Sequence, residues 1–134
     1  MAGLTIGGKI FKKCFEGSVN SEKLIQGLEH FHRCIGGPFI LIWDRSRSHR
    51  SKLTKAYLAN HLEIYVESLP AYAPETNPEE FCHGNIKRSI KNIVFSSKQE
   101  IPQALHKKFA ALHKRPALLL ACFHQAGLAL NQLW

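Results

Sequence analysis

Gly36-Gly37-Pro38-Phe39-Ile40-Leu41-Ile42-Trp43-Asp44-Arg45-Ser46 is the stretch on which the reading of the fold turns: five apolar residues in a row, opened by Gly-Gly-Pro and closed by a carboxylate. A continuous apolar run bounded by turn residues predicts a strand buried on both faces, as in a parallel sheet. Asp44 then stands where that strand emerges. In open α/β sheets ligands gather just beyond the carboxyl ends of the strands, so an acid there is placed for a metal or a substrate. The other reading of the same residue is a turn or cap.

Upstream, Lys9-Ile10-Phe11-Lys12-Lys13-Cys14-Phe15-Glu16 lies between Gly7-Gly8 and Gly17 and predicts a short strand of imperfect alternation. A helix follows from Asn20 or Ser21, with Leu24, Ile25, Leu28, Phe31 and Ile35 on one face and Gly36-Gly37-Pro38 as its stop. Strand, helix and strand make a crossover unit ending at Asp44. Downstream comes a polar basic segment, Arg45 to Lys52, and a short helix with Leu53, Ala56, Tyr57 and Leu58. Glu63-Ile64-Tyr65-Val66-Glu67 then alternates strictly, the mark of a strand covered on one face. Two such units in succession predict an α/β sheet with helices on its faces.

A proline-punctuated loop from Leu69 leads to a well-signalled helix start, with Asn77 as cap, Pro78 at the first position, and Glu79 and Glu80 at the positive end of the dipole. That helix runs on through Phe81, Ile86 and Ile90. A helical tail begins near Ser96-Ser97, with an apolar stripe of Leu105, Phe109 and Leu112, and Pro116 opens a last helix that Gly127 ends.

The 134 residues suffice for one domain with a real core, and no apolar run is long enough to span a membrane. Cys14, Cys34, Cys82 and Cys122 lack any Cys-x-x-Cys spacing and sit among apolar neighbours, which predicts buried free thiols in a reducing compartment. No histidine pair has zincin or zinc-finger spacing. The net charge of +8 is uneven: residues 1–80 hold ten Lys/Arg against nine Asp/Glu, and residues 81–134 hold eight against one. Such a surface suits a polyanion, because neutralised phosphates release counterions; the plainer reading is a solvated basic face.

Asp44 and Glu80 are the pair that carries chemistry. One ends a strand and the other opens a helix after the neighbouring strand, so both are expected at the same sheet edge. Two converging carboxylates would bind Mg²⁺ or Mn²⁺, hard ions that prefer oxygen, and such ions serve phosphoryl transfer. For Glu80 a capping box, Asn77-x-x-Glu80, is the competing explanation.

Ile40-Leu41-Ile42-Trp43-Asp44 with His49 beyond it, followed by Leu69-Pro70-Ala71-Tyr72-Ala73-Pro74-Glu75-Thr76-Asn77-Pro78-Glu79-Glu80, resembles the second and third catalytic segments of mariner-like transposases and their bacterial insertion-sequence relatives. Glu16-Gly17-Ser18-Val19-Asn20, Arg115-Pro116-Ala117-Leu118-Leu119 and Ala126-Gly127-Leu128 resemble the same family, so the likeness covers nearly the whole chain. It implies an α/β, RNase H-like (ribonuclease H-like) fold, in which three acids hold two Mg²⁺ or Mn²⁺ ions for cutting and joining DNA. Asp44 matches the second acid and Glu80 the third. Asn77 and Pro78 match the loop that sets Glu80, and His49 matches a supporting position.

The departures are as informative. Met1-Ala2-Gly3-Leu4-Thr5 resembles the end of the strand after the one bearing the first acid, and the carboxylates before Asp44, namely Glu16, Glu22 and Glu29, do not match that acid. Arg45 stands where the family usually has Asn, and His83 where it usually has Trp. The resemblance therefore implies an N-terminally truncated core over 1–95 with a helical C-terminal extension over 96–134, a transposase fragment inactive alone. The alternative is a non-catalytic, basic DNA-binding protein that pairs with full-length transposase or interferes with it. Arg45, Arg47, Arg50, Lys52, Lys87, Arg88 and Lys91 are the expected DNA contacts. Other expected partners are a second copy, a full-length transposase or the missing N-terminal part. The expected location is the cytoplasm, at the nucleoid if the source is bacterial.

Overall fold

Local chemistry sets where the elements begin and end in the computed structural model, which describes residues 1–128. Strands β1 (Ala2–Leu4) and β2 (Ile10–Lys12) form a two-stranded sheet of their own. Helix α1 spans Ser21–Ile35; the Asn20 side chain accepts the Lys23 amide at its start, and Gly36, at φ 75°, closes it by donating its N–H to His32 O. Strand β3 (Phe39–Trp43) follows, then helix α2 (Lys52–Ala59) behind a Ser51 cap, and strand β4 (Ile64–Ser68). After a 3-10 turn at Pro74–Thr76 come helices α3 (Pro78–Ile90), α4 (Glu100–His113) and α5 (Pro116–Gln125). The helix starts predicted at Asn20, Asn77 and Pro116 are all present.

The chain divides into two compact units, the first made of Met1–Ala2 and Phe11–Pro74, the second of Gly3–Ile10 and the chain from Glu75 onward. In the first, β3 and β4 pair in parallel, from Phe39 opposite Ile64 to Trp43 opposite Ser68, with α2 as the crossover. Bonds from Phe39 N to Glu63 O at 3.0 Å and from Leu69 N to Trp43 O at 2.8 Å extend the ladder at both ends. The core is Leu24, Leu28 and Trp43, with Met1, Leu41, Tyr57 and Leu58 packed against it. Thr54 is buried there at no cost, because its hydroxyl donates to Ser48 O at 2.7 Å and accepts from Ser51 Oγ at 2.9 Å.

Three expectations change. β3 is covered on one face only: Leu41 and Trp43 face the core, whereas Ile40 and Ile42 are 66% and 61% exposed. A run that is apolar at every position conceals which face is covered, so the sequence could not separate the two cases. The strand expected over Lys9–Glu16 shrinks to β2 and pairs with β1, so no crossover ladder joins it to β3 among the described residues. Its partner lies a few residues away across the Gly7-Gly8 turn, and a short loop closes at low entropic cost. Finally, all four cysteines are free as expected, but Cys14 and Cys34 are exposed.

In the second unit α3 packs on α5 and α4, and α4 on α5. Its buried apolar side chains among the described residues are Ile10, Cys82, Ile86, Phe109, Leu112, Leu119, Cys122 and Phe123. The hairpin tip reaches the start of α5: Gly8 holds φ 72°, and a Cβ there would come within 3.0 Å of Pro116 Cβ. Among the described residues no helix is long and apolar enough to cross a membrane. Residues 129–134 of the expected C-terminal extension lie outside the described residues.

Candidate metal and DNA site

Asp44 is the first residue beyond β3, as expected, and its carboxylate is held by its own downstream turn. Oδ1 accepts the Ser46 amide at 2.9 Å, an Asx turn. His49 returns to the same atom, its Nδ1 lying 2.8 Å from Asp44 Oδ1 and 2.9 Å from the Asp44 backbone oxygen. Both oxygens are acceptors, so Nδ1 carries a proton and donates to the pair. The turn is closed by Arg50 N on Ser46 O and anchored by Thr54 on Ser48 O. The Asp44 side chain is 54% exposed, and Oδ2 takes no part in these contacts.

Beneath His49 lies Trp43, whose ring is stacked on the imidazole with centroids 4.1 Å apart and planes 6° apart. Sequence reasoning placed Trp43 at the end of a buried strand and went no further. The signal was its position, one residue before the acid, yet nothing local announces which ring will fold back over it.

In the second unit Asn77, Pro78 and Glu80 meet at the start of α3. Asn77 Oδ1 accepts the Glu79 amide at 3.1 Å, and the Glu80 amide donates to Asn77 O at 3.1 Å. The cap that forms is thus not the reciprocal box, and the Glu80 side chain is exposed. Its neighbour Glu79 is engaged instead, with Oε1 2.9 Å from His83 Nε2 one turn on. In the loop before them Tyr72 adopts φ 58°, a left-handed conformation uncommon for a residue with a side chain, and is fully exposed.

Among the described residues no group of three or more His, Cys, Asp or Glu could hold a metal ion. Asp44 and Glu80 are each exposed oxygen donors of the kind Mg²⁺ and Mn²⁺ prefer, so they fit in chemistry and fall short in number. The cysteines offer no alternative nucleophile at the buried end: burial, with smaller effects of Cys122 and Glu79, pushes the Cys82 thiol up to about 12. The cations singled out in the sequence are all exposed. Arg45, Arg47, Arg50 and Lys52 follow Asp44 in the first unit, and Lys87, Arg88 and Lys91 end α3 in the second.

Comparison with known proteins adds a family and a fold. Residues 1–102 match the family described as DDE superfamily endonuclease. No curated protein matches the sequence. Among solved structures the chain is similar to the Mos1 transposase catalytic domain with raltegravir and Mg, at 20% identity and TM-score 0.62, covering 84% of this chain and 65% of that one. It is similar to the catalytic domain of Mos1 mariner transposase at 18% identity and TM-score 0.59, with the same coverage, 84% and 65%. A third likeness is to the Mos1 mariner paired end complex with Mn, at 20% identity and TM-score 0.63, covering 92% of this chain and 42% of that one. The chain therefore spans 65% of those catalytic domains and 42% of the longer transposase chain. The likeness extends to the fold, which is α/β and RNase H-like.

Proposed function

Since the chain belongs to the DDE superfamily endonucleases, we propose that it carries the second and third metal-holding acids of a mariner-like transposase core, Asp44 and Glu80. The observation that carries this reading is the bond of His49 to Asp44 at the carboxyl end of β3, because it holds a carboxylate where the family motif requires one. Divalent ions, when bound in such a site, activate a water and stabilise the leaving oxygen in phosphoryl transfer. The residues of this chain supply orientation. His49 and Ser46 fix one oxygen of Asp44 and leave the other for a ligand. Asn77 and Pro78 set the first turn of α3 and with it the direction of Glu80. Residues 1–95 then serve as core, and the segment from residue 96, with helices α4 and α5, as an extension to it.

The substrate is DNA, met through phosphates by Arg45, Arg47, Arg50, Lys52, Lys87, Arg88 and Lys91. These 134 residues by themselves are not expected to nick it. The chemistry implied by the resemblance uses three acids, and the carboxylates upstream of Asp44 lie elsewhere: Glu16 in a loop, Glu22 and Glu29 on α1. Metal binding and DNA binding are thus the direct tests. Mn²⁺ titration should show weak binding that Asp44→Ala and Glu80→Ala each reduce, and supercoiled DNA should stay intact in Mn²⁺. Unaltered Mn²⁺ binding in both variants would sink the assignment.

A second reading, binding without catalysis, is favoured by the exposure of all these cations and by the basic surplus of residues 81–134. Each neutralised phosphate steepens the fall of log affinity with log salt by about 0.9 on duplex DNA. A salt-sensitive complex formed equally well with Asp44→Ala, and by a chain that shows no Mn²⁺ affinity, supports it. A salt-independent complex counts against it.

A further inference from the structure

The His49 imidazole is constrained from two directions. Its Nδ1 donates to Asp44 Oδ1 and to the Asp44 backbone oxygen, at 2.8 Å and 2.9 Å. That shared hydrogen bond fixes one corner of the ring and leaves it free to swing about the corner. The stack on Trp43, with planes 6° apart, removes this freedom, because any swing would lift the imidazole off the indole face. The indole is itself held: Trp43 is 8% exposed and packs with Leu24 and Leu28 of α1.

Consecutive residues of a strand project to opposite faces. Trp43, pointing into the core, therefore has no direct route to the outward Asp44 carboxylate. The turn from Ser46 to Ser51 supplies one by bringing His49 back over Trp43 while its Nδ1 meets Asp44. Core packing against α1, the indole plane, the imidazole plane and the carboxylate rotamer form one chain of contacts, all within the first unit.

We propose that Trp43 is a positioning residue for the Asp44 carboxylate, acting through the stacked His49 imidazole. Trp43 sets the plane of the ring, the ring fixes Oδ1, and Oδ2 is presented in one direction. The proposal rests on the reading of Asp44 as a metal ligand for its functional meaning, and on the stack alone for its structural one.

Two measurements on the full chain test it. The first is nuclear magnetic resonance of the His49 ring. In the wild type its carbon-bound protons should be shifted upfield by the indole ring current, and the Nδ1 proton should exchange slowly. Both signatures should survive in Trp43→Phe and vanish in Trp43→Leu. Unshifted His49 protons in the wild type overturn the proposal, whatever the metal does.

The second is a double-mutant cycle on Mn²⁺ affinity, with circular dichroism to verify folding. Trp43→Leu and His49→Ala should each weaken binding on the order of ten-fold, as loss of an outer-shell partner does. Their combination should be no weaker than His49→Ala alone, because both act on one contact. Trp43→Phe should keep most of the affinity. A folded Trp43→Leu of unchanged affinity, or losses that multiply in the double variant, overturns the proposal. Should Trp43→Leu not fold, Trp43→Phe and the wild-type ring shifts decide it. Wild-type protein without Asp44-dependent Mn²⁺ affinity removes the proposed function instead; ring shifts retained in Trp43→Phe and lost in Trp43→Leu then support the platform by themselves.

Discussion

Ile42 of β3 stands in register with Glu67 of β4 on the exposed side of the parallel pair, an apolar side chain in water beside a carboxylate. Ile40 lies next to Tyr65 in the same row, also exposed. Because these side chains gain little from burial, Ile40→Thr and Ile42→Thr should each change stability by no more than about 0.5 kcal/mol, the usual range for surface positions. Thermal melts would check this. A loss of several kcal/mol would mean that the strand is covered on both faces after all.

The opposite face should respond very differently. Leu28 on α1 is fully buried beside Trp43, so Leu28→Ala removes apolar contacts and leaves a cavity. The expected cost is about 2–5 kcal/mol, read from urea or thermal unfolding.

At the start of α3 the Asn77 side chain satisfies the Glu79 amide. Asn77→Ala should cost about 1 kcal/mol by the loss of this cap, while Asn77→Asp or Asn77→Ser should cost little. The sharper check is Mn²⁺ affinity. If Asn77 also aims Glu80, Asn77→Ala lowers affinity more than Asn77→Ser does at equal fraction folded.

The thiols give a pH prediction whose sign follows from burial. Cys82 has its pKa raised to about 12 in the folded chain, with desolvation as the largest cause. In the unfolded chain an ordinary cysteine ionises at about 8.5. The folded state thus holds a proton that the unfolded state has lost, so stability is complete below the unfolded value and falls as pH rises toward 12. Cys122, also raised by burial, adds to the same trend. The melting temperature should decline above about pH 8.5, less steeply in Cys82→Ala. At neutral pH a thiol reagent should label the exposed Cys14 and Cys34 quickly, and Cys82 and Cys122 only on unfolding.

What was legible in the sequence was what neighbours along the chain decide. Asn20, Gly36, Asn77 and Pro116 announce helix ends because caps, left-handed glycines and first-turn prolines act within a few residues. The strand ending at Asp44 and its parallel partner were legible for the same reason. Pairing was not: whether β2 would join β1 or β3 depends on contacts remote in sequence. Nor was coverage, since Phe39–Trp43 is apolar on both sides and its alternation carries no contrast. Of the candidate site, Asp44, Glu80, Asn77, Pro78 and His49 came from motif and resemblance, and the bond of His49 to Asp44 is now seen in the fold. Trp43 escaped because a stack between residues 43 and 49 depends on a turn whose path only the folded chain reveals.

The contact between Trp43 and His49 also makes the protein its own optical probe. An indole one residue from Asp44 emits light beside the acid, and the sequence holds just one further tryptophan, Trp134. In Trp134→Phe the emission comes from Trp43 alone. Paramagnetic Mn²⁺ arriving at Asp44 would dim it and diamagnetic Mg²⁺, displacing Mn²⁺, would restore it, so occupancy could be followed by fluorescence with no label attached.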